Sequence, residues 1–360
     1  MVVKGRRATQ ADVARLAGVS QTTVSMVLNG TGVAQRRVSA EVRDKVLDAI
    51  AVTGYAANPS AQRLAGGRSS IVGIYTYEPV FPHAAADFYY PFMEGVEDEA
   101  ERSGVDLLMF TSMSGRVGKS LVSTGRVARL RVADGCVLLG RGSYPEDLTE
   151  LLRQDFPFAF VGRREAPGGQ APYAAAAYGE ATRAVVERLL ALGHRRIALV
   201  NEFTGHESIE DRARGYRDAM SSAGLQPVTF DAPDLTSGQL LDALDGGGVT
   251  AAVVTSDLAA PLRRAALARG LDVPRDLSIA RLGDPERPDG EDVGWTGFLI
   301  PRWEMGAQAL RIVLCQLAAD PTAPADPAEL QVSIPCTLVD GATVAPCPAP
   351  DTRPKPNRKA

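Results

Sequence analysis

The sequence predicts a small all-α head joined to a larger, two-lobed α/β core. Three observations predict it. Residues 9–54 hold three short apolar stripes at helical spacing, each opened by a capping hydroxyl. From Ser70 onward, short apolar runs alternate with amphipathic stretches, as in a parallel sheet flanked by helices. The charge is also split. Residues 1–70 carry ten basic and four acidic side chains, leaving −10 on the remaining 290 of a chain whose net charge is −4. A basic head on an acidic body fits a nucleic-acid-binding module attached to a part that need not touch nucleic acid. A solvated surface with no partner would give the same imbalance.

The bulk composition excludes several classes. At roughly 150 residues per domain, 360 residues make two or three domains. Hydrophobic residues at 45% and charged residues at 23% exclude wholesale disorder. No run reaches the ~18 apolar residues of a membrane span. The basic stretch Met1–Arg7 leads into polar sequence where an export signal needs an apolar one, so a cytoplasmic protein is expected. Four cysteines without C-x-x-C spacing indicate neither a disulfide framework nor a zinc site. Three histidines leave little material for a metal centre, and no cofactor is expected. The chain lacks G-x-S-x-G, a P-loop and a dinucleotide fingerprint, so an enzyme has no support.

In the head, Thr9 with Asp12 three residues on has the form of a capping box, followed by apolar Val13, Leu16 and Ala17. Gly18 supplies the tight turn. Ser20 caps a second helix, Gln21 to Leu28, with Val24, Val27 and Leu28 facing inward, and Asn29-Gly30 ends it. Ser39 caps a third, with Val42, Val46, Ala49 and Ile50 in register and Gly54 past its end. Two short helices around a glycine turn, braced by a third, make a helix-turn-helix. The outward side chains at the start of its second helix are Gln21, Thr22, Ser25 and Met26, which suit base edges in a major groove. A plain three-helix bundle would use the same packing residues.

These residues carry a resemblance. Thr9–Gly30, Val38–Asn58 and Ala61–Gly67 resemble the DNA-binding head and hinge of LacI-type (lactose-repressor family) transcription regulators, above all in the order D-V-A-x-x-A-G-V-S-x-x-T-V-S-x-V-L-N. The resemblance implies DNA contacts at Thr9, Ser20, Gln21, Thr22, Thr23, Ser25, Met26, Asn29 and Tyr55. It implies a hinge helix formed on operator DNA, with contacts at Asn58, Ala61 and Leu64. Leu64 would wedge into the minor groove and kink the duplex; a leucine covering a domain junction is the alternative. Where the family usually has proline before the asparagine, this chain has Ala57, with Pro59 following.

In the body, strands are expected at Ile71–Tyr75, Asp106–Phe110, Gly135–Leu139, Phe158–Val161, Arg196–Val200, Ala251–Thr255 and Leu277–Ala280, with helical patterns between them. The resemblance continues through Leu192–Val200, Asp211–Met220, Gly270–Ile279 and Ile334–Val339, and implies an effector core resembling periplasmic sugar-binding proteins. The expected organisation is a head over 1–57, a hinge over 58–68 and a core over 69–345. The chain is expected to cross between lobes near 162–172 and 283–300. A Pro-rich basic tail over 346–360 is expected to lack fixed structure and holds no tetramerising heptads, so a homodimer is expected. By position the resemblance implies effector contacts at Phe88, Tyr89, Arg163, Arg212 and Asp257. The two aromatics could equally be core, and Arg212 could equally form a surface salt bridge. Three family acids or bases are replaced here by Ala177, Gly283 and Asp340, which suggests a changed effector or a weakened response, and Asp284 is taken as the substitute partner. The segment Arg141–Tyr144 reads as a plain loop. The function implied is a dimeric repressor on a pseudo-palindromic operator, tuned by a small molecule, with a sugar as the family-level expectation. An exported solute-binding protein is the alternative, opposed by the helix-turn-helix.

Overall fold

The computed structural model describes residues 8–29, 38–55, 69–78, 86–110, 120–123, 125–142, 144–167, 171–201, 205–231, 235–285, 293–320 and 326–348. The chain divides into two units, Met1–Ile71 and Val72–Ala360.

The first unit holds α1 (Gln10–Ala17), α2 (Gln21–Asn29) and α3 (Ala40–Thr53). Its caps follow the sequence. The Asp12 carboxylate accepts from the Thr9 N–H at 2.9 Å and the Thr9 hydroxyl at 2.6 Å. Gly18 and Gly54 end α1 and α3 at φ +67° and +61°, a conformation open to glycine without strain. Ser20 Oγ accepts from the Thr23 N–H at 3.1 Å, and Ser39 Oγ from the Val42 N–H at 3.4 Å. Val13, Ala14, Val24, Val46 and Ala49 form the core, with Val27, Leu28, Ile50 and Tyr55 packed on it. Leu16 departs from expectation and is 54% exposed. At ~100° per residue the core side of α1 is set by Val13, Ala14 and Ala17, and Leu16 lies roughly 110° around the helix from it.

The second unit continues as β1 (Ile71–Thr76), α4 (Ala86–Ser103), β2 (Asp106–Phe110), α5 (Val127–Leu130), β3 (Gly135–Leu139), α6 (Pro145–Arg153), β4 (Phe158–Val161) and β5 (Tyr173–Ala176). Then come α7 (Tyr178–Ala191), β6 (Ile197–Asn201), α8 (Glu207–Ser222), β7 (Val228–Asp231), α9 (Ser237–Gly246), β8 (Ala251–Thr255), α10 (Ser256–Ala268), β9 (Ser278–Leu282) and β10 (Thr296–Leu299). The chain closes with α11 (Arg302–Ala318), α12 (Pro327–Leu330), β11 (Gln331–Ile334) and β12 (Thr337–Val339). Among the described residues two six-stranded sheets result, ordered β11-β5-β4-β3-β1-β2 and β12-β10-β9-β8-β6-β7. The interior pairs are parallel, and β12 alone is antiparallel to its neighbour among the described pairings. Their central strands are buried on both faces, which explains the unbroken apolar runs.

The lobe crossings correct the sequence reading. The Gly/Pro-rich stretch 162–172 joins β4 to β5 inside one sheet, and the chain first passes to the second lobe at Ala177. Strand β5 was missed because Tyr-Ala-Ala-Ala has weak strand propensity. Its small residues are what allow α11 to lie across it. The second passage lies at Ile300–Pro301, and a third, unforeseen, at Pro335–Cys336. The expected structureless tail also starts too early. The Cys347 N–H donates to the Leu192 carbonyl at 2.9 Å, and His194 Nε2 lies 2.9 Å from the Ala345 carbonyl, so the segment through residue 348 is anchored. Beyond it the chain lies outside the described residues. Among the described residues no helix is long and apolar enough to cross a membrane.

Candidate functional site

Two sites emerge, one in each unit. In the head, Gln21 and Thr22 stand exposed at the start of α2, while Thr23, Ser25 and Met26 are half-buried beside them. The Ser20 and Thr23 hydroxyls lie 2.9 Å apart and close the helix start. Thr9 is committed to Asp12, and Tyr55 packs on the head's core. Asn29 ends α2. Its side chain, and the whole of Asn58, Ala61 and Leu64, lie outside the described residues.

In the second unit, strand carboxyl ends from both lobes face one cavity of about 140 Å³. This is where open parallel sheets place their ligands, because loops and helix N-termini converge there. All six expected effector residues line it: Phe88, Tyr89, Arg163, Arg212, Asp257 and Asp284. They are not equivalent. Tyr89 is 3% exposed and its hydroxyl donates to the Glu78 carboxylate, so it holds position rather than offering a face. Burial and the adjacent Glu78 push its pKa upward. Glu78 also accepts from the Arg141 N–H at 3.0 Å, which fixes the loop after β3. Phe88 keeps a partly open ring with the Arg302 guanidinium 4.6 Å from its centroid.

Arg212, on α8, is 5% exposed. Its Nε donates to the Leu282 carbonyl at 3.2 Å and its Nη1 to the Ser208 carbonyl at 3.0 Å. The guanidinium lies 3.8 Å from the centroid of the Tyr178 ring. Burial lowers its pKa, yet a guanidinium stays charged at neutral pH. Among the described residues Arg212 makes no surface salt bridge, and its fork is held rigidly at the cavity wall. Asp284 accepts from the Ile300 N–H at 3.0 Å. Arg163 gives Nε to Asp211 at 3.0 Å and Nη1 to Glu165 at 2.7 Å. Burial works against the Arg163 charge, and these two bonds more than offset it, so its pKa rises.

Several lining residues escaped the sequence reading. Tyr178, Arg164 and His206 all reach the cavity. Arg141, read as part of a plain loop, lines it too, and its carbonyl accepts from Arg164 at 2.7 Å. Their signal was position: each follows a strand or opens a helix at the carboxyl end of a sheet. The missed β5 hid Tyr178.

A helix-turn-helix unit and a two-lobed α/β unit with a cleft define a DNA-binding regulator with a ligand-receptor core. Comparison with known proteins gives the family. Residues 9–58 match the model of bacterial regulatory proteins of the lacI family. Residues 79–240 match the periplasmic binding proteins and sugar binding domain of the LacI family, and 186–344 a periplasmic binding protein-like domain. Catabolite control protein A of Priestia megaterium is 29% identical over 319 residues, covering 84% of this chain and 90% of its own. The HTH-type transcriptional regulator CelR of Thermobifida fusca is 29% identical over 331 residues, covering 89% and 94%. The structure of a CelR–cellobiose complex superposes with a TM-score of 0.61 at 25% identity, covering 94% of this chain and all of that one. A lac repressor dimer bound to operator and the anti-inducer ONPF gives 0.66 at 24% with the same coverage, a likeness of fold. The chain belongs to the LacI family of bacterial transcriptional regulators. It is a DNA-binding regulator and not an enzyme.

Proposed function

We propose that this regulator works in the cytoplasm as a homodimeric repressor, reading a pseudo-palindromic operator with one head per half-site. A small molecule held in the core cleft sets its operator affinity. Gln21, Thr22, Ser25 and Met26 would meet base edges, with Thr9, Ser20, Thr23, Asn29 and Tyr55 positioning the head and Asn58, Ala61 and Leu64 forming the hinge contact. The effector is a sugar or sugar derivative. One observation carries this reading: the cavity sets a partly open aromatic ring, Phe88, among a rigid fork donor, Arg212, and the carboxylates Asp257 and Asp284. An apolar ring face can rest on the aromatic while hydroxyls donate to carboxylates and accept from the guanidinium. The cellobiose bound in the CelR structure supports a sugar, and the operator-bound lac repressor dimer supports the quaternary reading.

The test is a selection of duplexes from a random pool by the full chain. The expected winners have dyad symmetry with half-sites set by two heads. Gln21→Ala should relax preference at one position per half-site by about 1–3 kcal/mol. An enriched set without symmetry overturns the dimeric reading.

A further inference from the structure

The N-cap residue of α8 and two side chains on that helix reach across from the second lobe to two loops of the first. His206 Nδ1 lies 2.9 Å from the Arg141 carbonyl, and since a carbonyl only accepts, the ring nitrogen donates. Arg164 Nη1 stands 3.4 Å from the Glu207 carboxylate. Arg163 Nε donates to the Asp211 carboxylate at 3.0 Å. Arg163 and Arg164 are consecutive at the end of β4, and Glu207 and Asp211 are one turn apart on α8, so two adjacent cations meet two carboxylates of one helix face. The pairs are reinforced at both ends. Glu165 holds Arg163 from the first lobe at 2.7 Å, and Arg214 holds Asp211 from the second at 2.6 Å. Every bridge runs from protein to protein.

We propose that these bridges form a latch that holds the two lobes together by themselves, so that closure is the resting arrangement of the core. An effector then enters only when the latch opens. Its regulatory meaning rests on the effector reading of the cleft, whereas closure itself does not. Burial sets the latch apart from an ordinary surface pair. Asp211 is 6% exposed, and water screens such a pair less than one at the rim. It also changes the part played by Arg163. A side chain expected to grip the effector has given two donors to carboxylates, and it acts on closure. The arrangement is specific to charge geometry. A guanidinium can serve Asp211 and Glu165 at once through Nε and Nη1, which an amide cannot do with comparable strength.

The measurement needs no effector, so its outcome is independent of the sugar reading. Dyes carried by noncanonical amino acids at exposed Glu146 on α6 and exposed Glu210 on α8 report the lobe separation by energy transfer in the full chain. The unmodified latch should give one short-distance population. Arg163→Gln and Asp211→Asn should each shift it to a longer or broader one, while Arg163→Lys, which keeps the charge but not the fork, should fall between them and the parent. Circular dichroism checks that each variant is folded. A parent already open, or variants that leave the distance unchanged, overturns the latch.

Discussion

His194 has no exposed surface and sits between α7 and β6. Its Nε2 faces the Ala345 carbonyl and must donate, which leaves Nδ1, 2.9 Å from the Thr250 hydroxyl, as acceptor in the neutral ring. Burial lowers its pKa below the usual 6.5, with the Ala345 bond opposing more weakly. The unfolded chain therefore binds the proton more readily than the folded one. The stability that depends on the neutral ring is complete above about pH 6.5 and is lost as pH falls toward the depressed folded value. Calorimetric melting between about pH 7.5 and pH 5.5 should show the parent losing stability faster on acidification than His194→Gln. Parallel curves would mean that protonation here is not coupled to folding. Sequence reading could not single this histidine out, because its two partners come from positions remote in the chain.

At the scale of elements, each lobe is clamped by a pair of helices in backbone contact, and glycine makes the contact possible. A Cβ on Gly306 of α11 would lie 1.9 Å from the Phe92 carbonyl oxygen of α4, and one on Gly95 would lie 1.9 Å from the Trp303 carbonyl. In the second lobe a Cβ on Gly215 of α8 would lie 2.0 Å from the Gly179 carbonyl of α7. These neighbours are backbone and cannot swing aside. Gly306→Ala should lower unfolding stability by about 1–3 kcal/mol, read as a shift in the urea midpoint. A neutral result would show that α4 and α11 can separate without loss. The head's helices and the longer core helices were legible from periodicity, and the head's caps at Thr9, Ser20 and Ser39 from single residues, whereas α5, α6 and α12 were not foreseen. Nor were the strands β5, β7, β10, β11 and β12. β5 is nearly all alanine, and the others are three or four residues long, too short for a two-residue alternation to stand out.

For the whole molecule, the proposed function ties a DNA site to a ligand site, and thermodynamic linkage makes any such coupling reciprocal. A sugar that raises the melting temperature of the full chain should change operator affinity by about 5–150-fold. Titrated against the operator complex, its own affinity should change by the same factor. Equal sugar affinity with and without operator would separate the cleft from regulation. The lobes that frame this cleft are each built from two separate stretches of chain, because the backbone passes between them three times, at Ala177, Ile300–Pro301 and Pro335–Cys336.

What the sequence alone determined was local and contiguous. It specified the three capped helices of the head, the alternation of strands and helices in the body and the strand ends at which a ligand site would lie, since each depends on neighbours a few residues apart. Only the tertiary structure decided which lobe each strand joins, that Arg212 is buried over Tyr178, and that Arg163 spends its donors on Asp211 and Glu165. Those outcomes depend on pairing between distant segments, such as β11 beside β5. The free energy of a buried charge is set by the partners that folding brings to it, which no local pattern encodes.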